Sequence, residues 1–136
     1  MEEKLTDAEY YQLGRVATIK FPELVKEIEA KYSPALKDLK HIPEICERAM
    51  AYLPFLSQYD RNVLVSACVY QLYCPASFIG CANAPANMRK AIADVLGYQN
   101  GTNLNYWHSI ACAFMKNPRY AKVVESIIEE FKPKKP

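Results

Sequence analysis

The clearest hydrophobic rhythm lies near the C-terminal end. Tyr120, Val123, Val124, Ile127, Ile128 and Phe131 recur at intervals of three and four, the spacing that lines up side chains on one face of an α-helix. Asn117 and Pro118 stand just ahead of this run. They pair a hydrogen-bonding N-cap with a residue whose missing N–H costs nothing at the first helical position. The two preceding stretches read the same way. Residues 102–115 carry Leu104, Trp107, Ala111, Phe114 and Met115. Residues 85–96 carry Met88, Ile92, Val95 and Leu96, and stop at Gly97, a natural C-terminal glycine.

The middle of the chain predicts a broader buried surface. Val63, Leu64, Ala67 and Cys68 follow the i, i+1, i+4, i+5 pattern of a wide apolar face. Asp60 is the expected cap of a helix over 61–73, and Pro75 its stop. Residues 74–84 read as a loop or a short helix. Upstream, Ile45, Ala49 and Tyr52 predict a helix over 43–52, and Ser33-Pro34 starts a short helix through Lys40. Leu24, Val25 and Ile28 mark one over 22–32. Thr6 with Glu9 three residues on is a capping-box pattern for a helix over 6–20. No stretch alternates apolar and polar residues for strand length. The expected fold is therefore all-α, a single-domain bundle of about seven or eight helices.

The length of 136 residues fits one compact domain. Half the residues are apolar and a quarter charged, which excludes a disordered or fibrous chain. The start, Met1-Glu2-Glu3-Lys4, is polar and no apolar signal segment follows, so a cytoplasmic protein is the expectation. No window is apolar enough to span a membrane. The five cysteines, Cys46, Cys68, Cys74, Cys81 and Cys112, show no C-x2-C pairing. They read as reduced thiols serving as small hydrophobes, with neither disulfide nor metal roles.

Net charge is only +2, but its distribution is uneven. Residues 1–60 hold eight basic and eleven acidic side chains, so they form an acidic helical N-terminal region. Residues 61–132 form a basic helical region, and 133–136 a basic, disordered tail. From 61 to 124, Arg61, Arg89, Lys90, Lys116, Arg119 and Lys122 face only Asp94. Such asymmetry points to one face that meets an anion.

Residues 88–109 place this charge beside a helix–turn–helix pattern. Met88 to Leu96 form the first helix, and Gly97 supplies a left-handed turn residue. Ala93 lies four before it, small enough for close helix packing. Thr102 is placed to cap the second helix. The outward side of that helix presents Asn103, Asn105, Tyr106 and Ser109, uncharged groups of the kind that read base edges in a major groove. Together with Thr102 these are the expected base contacts. Arg89, Lys90, Lys116 and Arg119 are the expected phosphate contacts.

Residues 61 to about 131 resemble the C-terminal duplex-binding domain of the bacterial replication initiator DnaA, one of the Trp-repressor-like helical domains. The resemblance rests on a long helix opening Arg61-Asn62-Val63-Leu64, the Ile92-to-Gly97 segment of form I-A-x-x-L-G, the turn with its following helix, and the final helix after Asn117-Pro118. The family's turn signature, roughly G-R-D-H-[ST]-[ST]-V, falls on Tyr98 to Leu104. Its arginine and aspartate fall on Gln99 and Asn100, its histidine on Gly101, its hydroxyl residues on Thr102 and Asn103, and its valine on Leu104. The resemblance implies a duplex-DNA-binding protein, bacterial or phage, with replication control or regulation on a mobile element as its setting. It also carries phosphate contact onto Gln99 and Asn100. The departures at Gln99 and Gly101 support the alternative, a protein-interaction or structural adaptor that kept the fold without DNA binding. The acidic region would then, or in either case, serve a protein partner or self-association.

Catalytic chemistry finds little to stand on. His108 and Cys112 are one helical turn apart, with no third orienting group in the pattern. His41 lies in a lysine-flanked loop. No phosphate-cradling glycine loop or H-E-x-x-H occurs. The expectation is a protein that is no enzyme and takes no metal or cofactor.

Overall fold

The computed structural model describes residues 4–52, 54–80 and 84–133. Among them are seven α-helices and no strand: α1 (Asp7–Lys20), α2 (Pro22–Tyr32), α3 (Ile42–Tyr52), α4 (Gln58–Tyr73), α5 (Ala86–Leu96), α6 (Thr102–Phe114) and α7 (Pro118–Ile128). Short 3-10 turns occupy Leu39–His41, Pro75–Ile79 and Glu129–Phe131. The fold is all-α, as the periodicity predicts. None of these helices is long and apolar enough to cross a membrane. The chain divides into two compact units, Met1–Ser33 and Pro34–Pro136. Helix α3, which the charge split groups with the acidic N-terminal region, belongs to the second.

In the first unit, local chemistry sets the helix boundaries. The Thr6 hydroxyl accepts from the Glu9 amide at 3.2 Å, and the Glu9 carboxylate accepts from the Thr6 amide at 2.9 Å. These bonds favour the ionised Glu9 and hold its carboxyl below the usual range. The expected capping box is therefore present. Phe21 breaks α1 and Pro22 restarts the chain as α2. No residue of either helix is buried.

In the second unit, the core gathers on α4. Every residue from Asn62 to Tyr70 is buried, with Leu72 and Tyr73. A helix buried nearly all round must be wrapped by others. Those are α3 (through Ile42, Ile45, Cys46 and Ala49), α6 (through Leu104, Trp107 and Ala111) and α7 (through Val124, Ile127 and Ile128), while α5 packs on α3 and α6. Leu36 and Leu39 add to this core from the loop ahead of α3. The Leu72 carbonyl accepts from the Ala35 and Leu36 amides, and the Tyr73 hydroxyl donates to the Asp38 carbonyl at 2.6 Å. These bonds absorb the backbone of residues 34–40. The helix expected there therefore contracts to the 3-10 turn Leu39–His41.

Two further boundaries differ from expectation. The cap of α4 is Ser57, and Asp60 sits inside the first turn. The Ser57 hydroxyl accepts from the Asp60 amide at 3.2 Å and donates to the Asp60 carboxylate at 3.0 Å. Serine is as good a cap as aspartate, and the acid is favourable in the first turn as well. Residues 75–79 form a 3-10 turn closed by Gly80 in the left-handed region, φ +74°. The rest of the 74–84 expectation, with Cys81, falls on residues 81–83, outside the described residues, as do positions 134–136 of the expected tail. Cys46 and Cys68 are buried free thiols, and Cys74 and Cys112 are half-buried ones. Burial pushes the Cys46 thiol up to about 12.

Candidate nucleic-acid interface

Helices α5 and α6 are joined by the turn 97–101. Gly97 adopts φ +86°, a conformation costing an L side chain about 1–2 kcal/mol. Gly101 meets a different demand. A Cβ there would lie 2.8 Å from the Arg89 Cβ and 3.2 Å from the Arg89 carbonyl carbon. Only hydrogen fits, so the second helix starts pressed against the first. Ala93 is fully buried, as close packing requires.

The turn is also held from the core. Asn62 is buried on α4, and its amide donates to the Tyr98 hydroxyl at 3.1 Å. Its carbonyl oxygen accepts from Gln58 at 2.8 Å. The Tyr98 ring meets Trp107 edge-on with centroids 5.0 Å apart. Thr102 does not cap α6. Gly101 occupies the cap position, and the Asn100 side chain accepts the Thr102 amide at 3.0 Å. Asparagine suits this because its carbonyl reaches two residues ahead along the chain.

Leu104, Trp107 and Ala111 anchor one side of α6 in the core. Thr102, Asn103, Asn105, Tyr106 and Ser109 are all exposed on the helix, Tyr106 at 61%. The outward face is open, and it carries the five side chains that the pattern singled out. Two of them have neighbours the sequence did not foretell. Tyr59, at the start of α4, has its ring centroid 6.2 Å from that of Tyr106. Its phenol is pushed up to about 12, first by a hydrogen bond with Tyr106. The Ser109 hydroxyl folds back to donate to the Asn105 carbonyl at 3.0 Å.

The cations differ in how far they are already engaged. Lys90 pairs with Asp94 at 2.5 Å and donates to the Gln99 carbonyl at 3.1 Å. Gln99 itself is exposed. Arg61 donates to the Pro54 carbonyl. Arg89 is half-buried, and one of its terminal nitrogens lies 3.4 Å from the Asn105 side-chain oxygen. Its Nε is buried with no hydrogen-bond partner among the described residues. Lys116 and Arg119 flank the end of α6 and the start of α7, both exposed. Asn117 caps α7 by accepting the Arg119 amide at 2.9 Å.

His108 lies on the inner flank of α6. Its ring stacks on Tyr70 at 4.2 Å, with Phe78 5.3 Å away. Nε2 is 3.0 Å from the Ser77 hydroxyl and 3.5 Å from the Cys112 sulfur. Burial lowers the imidazole pKa and raises that of the thiol. Both shifts favour the neutral pair, the reverse of an imidazolium–thiolate nucleophile. The ring ties the Pro75–Ile79 turn to α4 and α6. No group of three His, Cys, Asp or Glu side chains suited to a metal ion occurs among the described residues.

A scan of family models found no match, and neither did searches of curated proteins and of solved structures.

Proposed function

We propose that this chain binds duplex DNA through the outward face of α6. The reading is carried by one observation: α6 is anchored by Leu104, Trp107 and Ala111, yet shows solvent a row of uncharged hydrogen-bonding side chains. Amide and hydroxyl groups of this kind pair with base edges. Arg89 lies beside Asn105, Lys116 and Arg119 follow the end of α6, and these three supply phosphate contact. Arg89 supports this role, because one of its terminal nitrogens lies exposed beside Asn105 and a guanidinium with spare donors gains from an anion. Lys90 is a weaker contributor, its charge shared with Asp94. Gln99 and Asn100 serve the turn, through a carbonyl bonded to Lys90 and a side chain capping α6.

The test is fluorescence anisotropy with a mixed-sequence duplex at two salt concentrations. Three phosphate contacts release roughly 2.7 counterions, so affinity falls roughly 40-fold between about 50 and 200 mM salt. Replacing Lys116 and Arg119 by alanine lowers affinity for all sequences alike and reduces the salt slope by about 2. Asn105→Ala changes sequence preference instead. Binding that is absent, or indifferent to salt, overturns the proposal. It would leave the adaptor reading, which one specific observation favours: α6 carries no lysine or arginine from Thr102 to Phe114.

A further inference from the structure

We propose that the α1–α2 hairpin is a homodimerisation element, two copies of which close into a four-helix bundle. The proposal is independent of DNA binding, because every residue it uses lies in the first unit.

The hairpin has apolar side chains and no core. Leu5, Tyr10, Tyr11, Leu13, Val16, Ile19, Phe21, Leu24 and Ile28 are between 40% and 75% exposed. Their combined open surface is on the order of 1,000 Å², against about 800 Å² that each partner buries in a stable interface. Two helices cannot enclose these side chains between them, whereas four can.

The hairpin is also grooved. Between α1 and α2 lies a groove of about 500 Å³ whose lining includes Tyr11, Gly14, Ala17, Thr18, Val25 and Ile28. A Cβ at Gly14 would meet nothing within 4 Å, so the groove is open there. A second concavity of about 240 Å³ lies along α1 beside Leu5, Leu13 and Val16.

The charges select a second copy over other occupants. The first unit, Met1–Ser33, holds five basic side chains (Lys4, Arg15, Lys20, Lys26, Lys31) and seven acidic ones (Glu2, Glu3, Asp7, Glu9, Glu23, Glu27, Glu29). A helix that lies on an anionic bilayer needs a basic polar face, and this one has none to spare. A strongly charged partner likewise meets no opposing field. A net charge this small opposes self-contact only weakly, and a closed two-fold pairing is the commonest form of self-association.

Sedimentation velocity of the full chain at about 50 µM is the test. The expected species has twice the 15.5 kDa chain mass. The double variant Leu24→Lys, Ile28→Lys sediments as a monomer. Because those lysines could also unfold the hairpin, Gly14→Leu provides the control. Leucine favours helix over glycine, yet its side chain fills the groove. The variant should keep its helical circular dichroism while its dimer dissociation constant rises at least tenfold. A monomeric native chain overturns the proposal, whether the hairpin stays bare or packs on its own second unit. So does an assembly larger than a dimer. A dimer that survives both variants unchanged also overturns it.

Discussion

The two units are built from helices of similar length, and they differ in what holds them. In the first, capping chemistry defines α1 and α2 while no side chain of either is buried. In the second, α4 loses nearly all its surface to its neighbours, and the shorter helices are fixed by what they pack against. Capping decides where a helix begins, at about 1 kcal/mol per cap. Burial decides whether it stays, at about 1.5–3 kcal/mol for each large apolar side chain taken from water. The first unit has the former without the latter.

Paired substitutions sharpen this contrast, and Trp107 reports on it cleanly as the single tryptophan, buried in the second unit. The largest effect comes from leucines. Leu104 is fully buried, and Leu24 is 53% exposed. In urea unfolding followed by Trp107 fluorescence, Leu104→Ala should lower stability by about 2–5 kcal/mol. Leu24→Ala should shift the same transition by about 0.5 kcal/mol or less. Equal losses would mean that the units unfold as one.

Glycines give the next contrast. Gly101→Ala forces a Cβ against the Arg89 backbone and should cost about 1–3 kcal/mol by the same assay. Gly14→Ala enters open space in the middle of α1. It should raise helix content and stabilise the hairpin by about 0.5–1 kcal/mol, leaving the Trp107 transition in place.

The smallest expected effect depends on pH. Burial lowers the His108 pKa in the folded protein, so the unfolded chain binds the extra proton first as pH falls. The contribution of the neutral ring is complete above about pH 6.5. It declines below that value until the lower folded pKa is passed. The Trp107 transition should therefore weaken from pH 7 to 5, and His108→Gln should flatten that slope. The hairpin holds no histidine, so its helical signal should not follow the same window.

Much of the architecture is legible in the residue order. The capping box at Thr6 and Glu9, the Asn117-Pro118 start and the Gly97 stop act within a turn of the chain, and all three stand as read. The pairing of Lys90 with Asp94 is equally local. The failures share a different cause. Residues 34–40 surrender their helix because the Leu72 carbonyl, distant in sequence, takes the Ala35 and Leu36 amides. Tyr59 beside Tyr106, and Asn62 bonded to Tyr98, join α4 to the turn and α6 across long stretches of chain. No periodicity encodes such meetings. At the turn, Thr102 is the expected cap, yet Gly101 takes that position and the Asn100 side chain accepts the Thr102 amide.

The division of labour within α6 bears on how such a protein can change. What retains the helix is an inner stripe of Leu104, Trp107 and Ala111, and what it displays is a separate set of positions. Among the described residues, the Asn105 and Tyr106 side chains meet Arg89 and Tyr59, each from outside α6. Mutations can therefore rewrite the displayed chemistry one residue at a time without asking the scaffold to be rebuilt. A descendant of this chain could present different chemistry while its interior stayed the same.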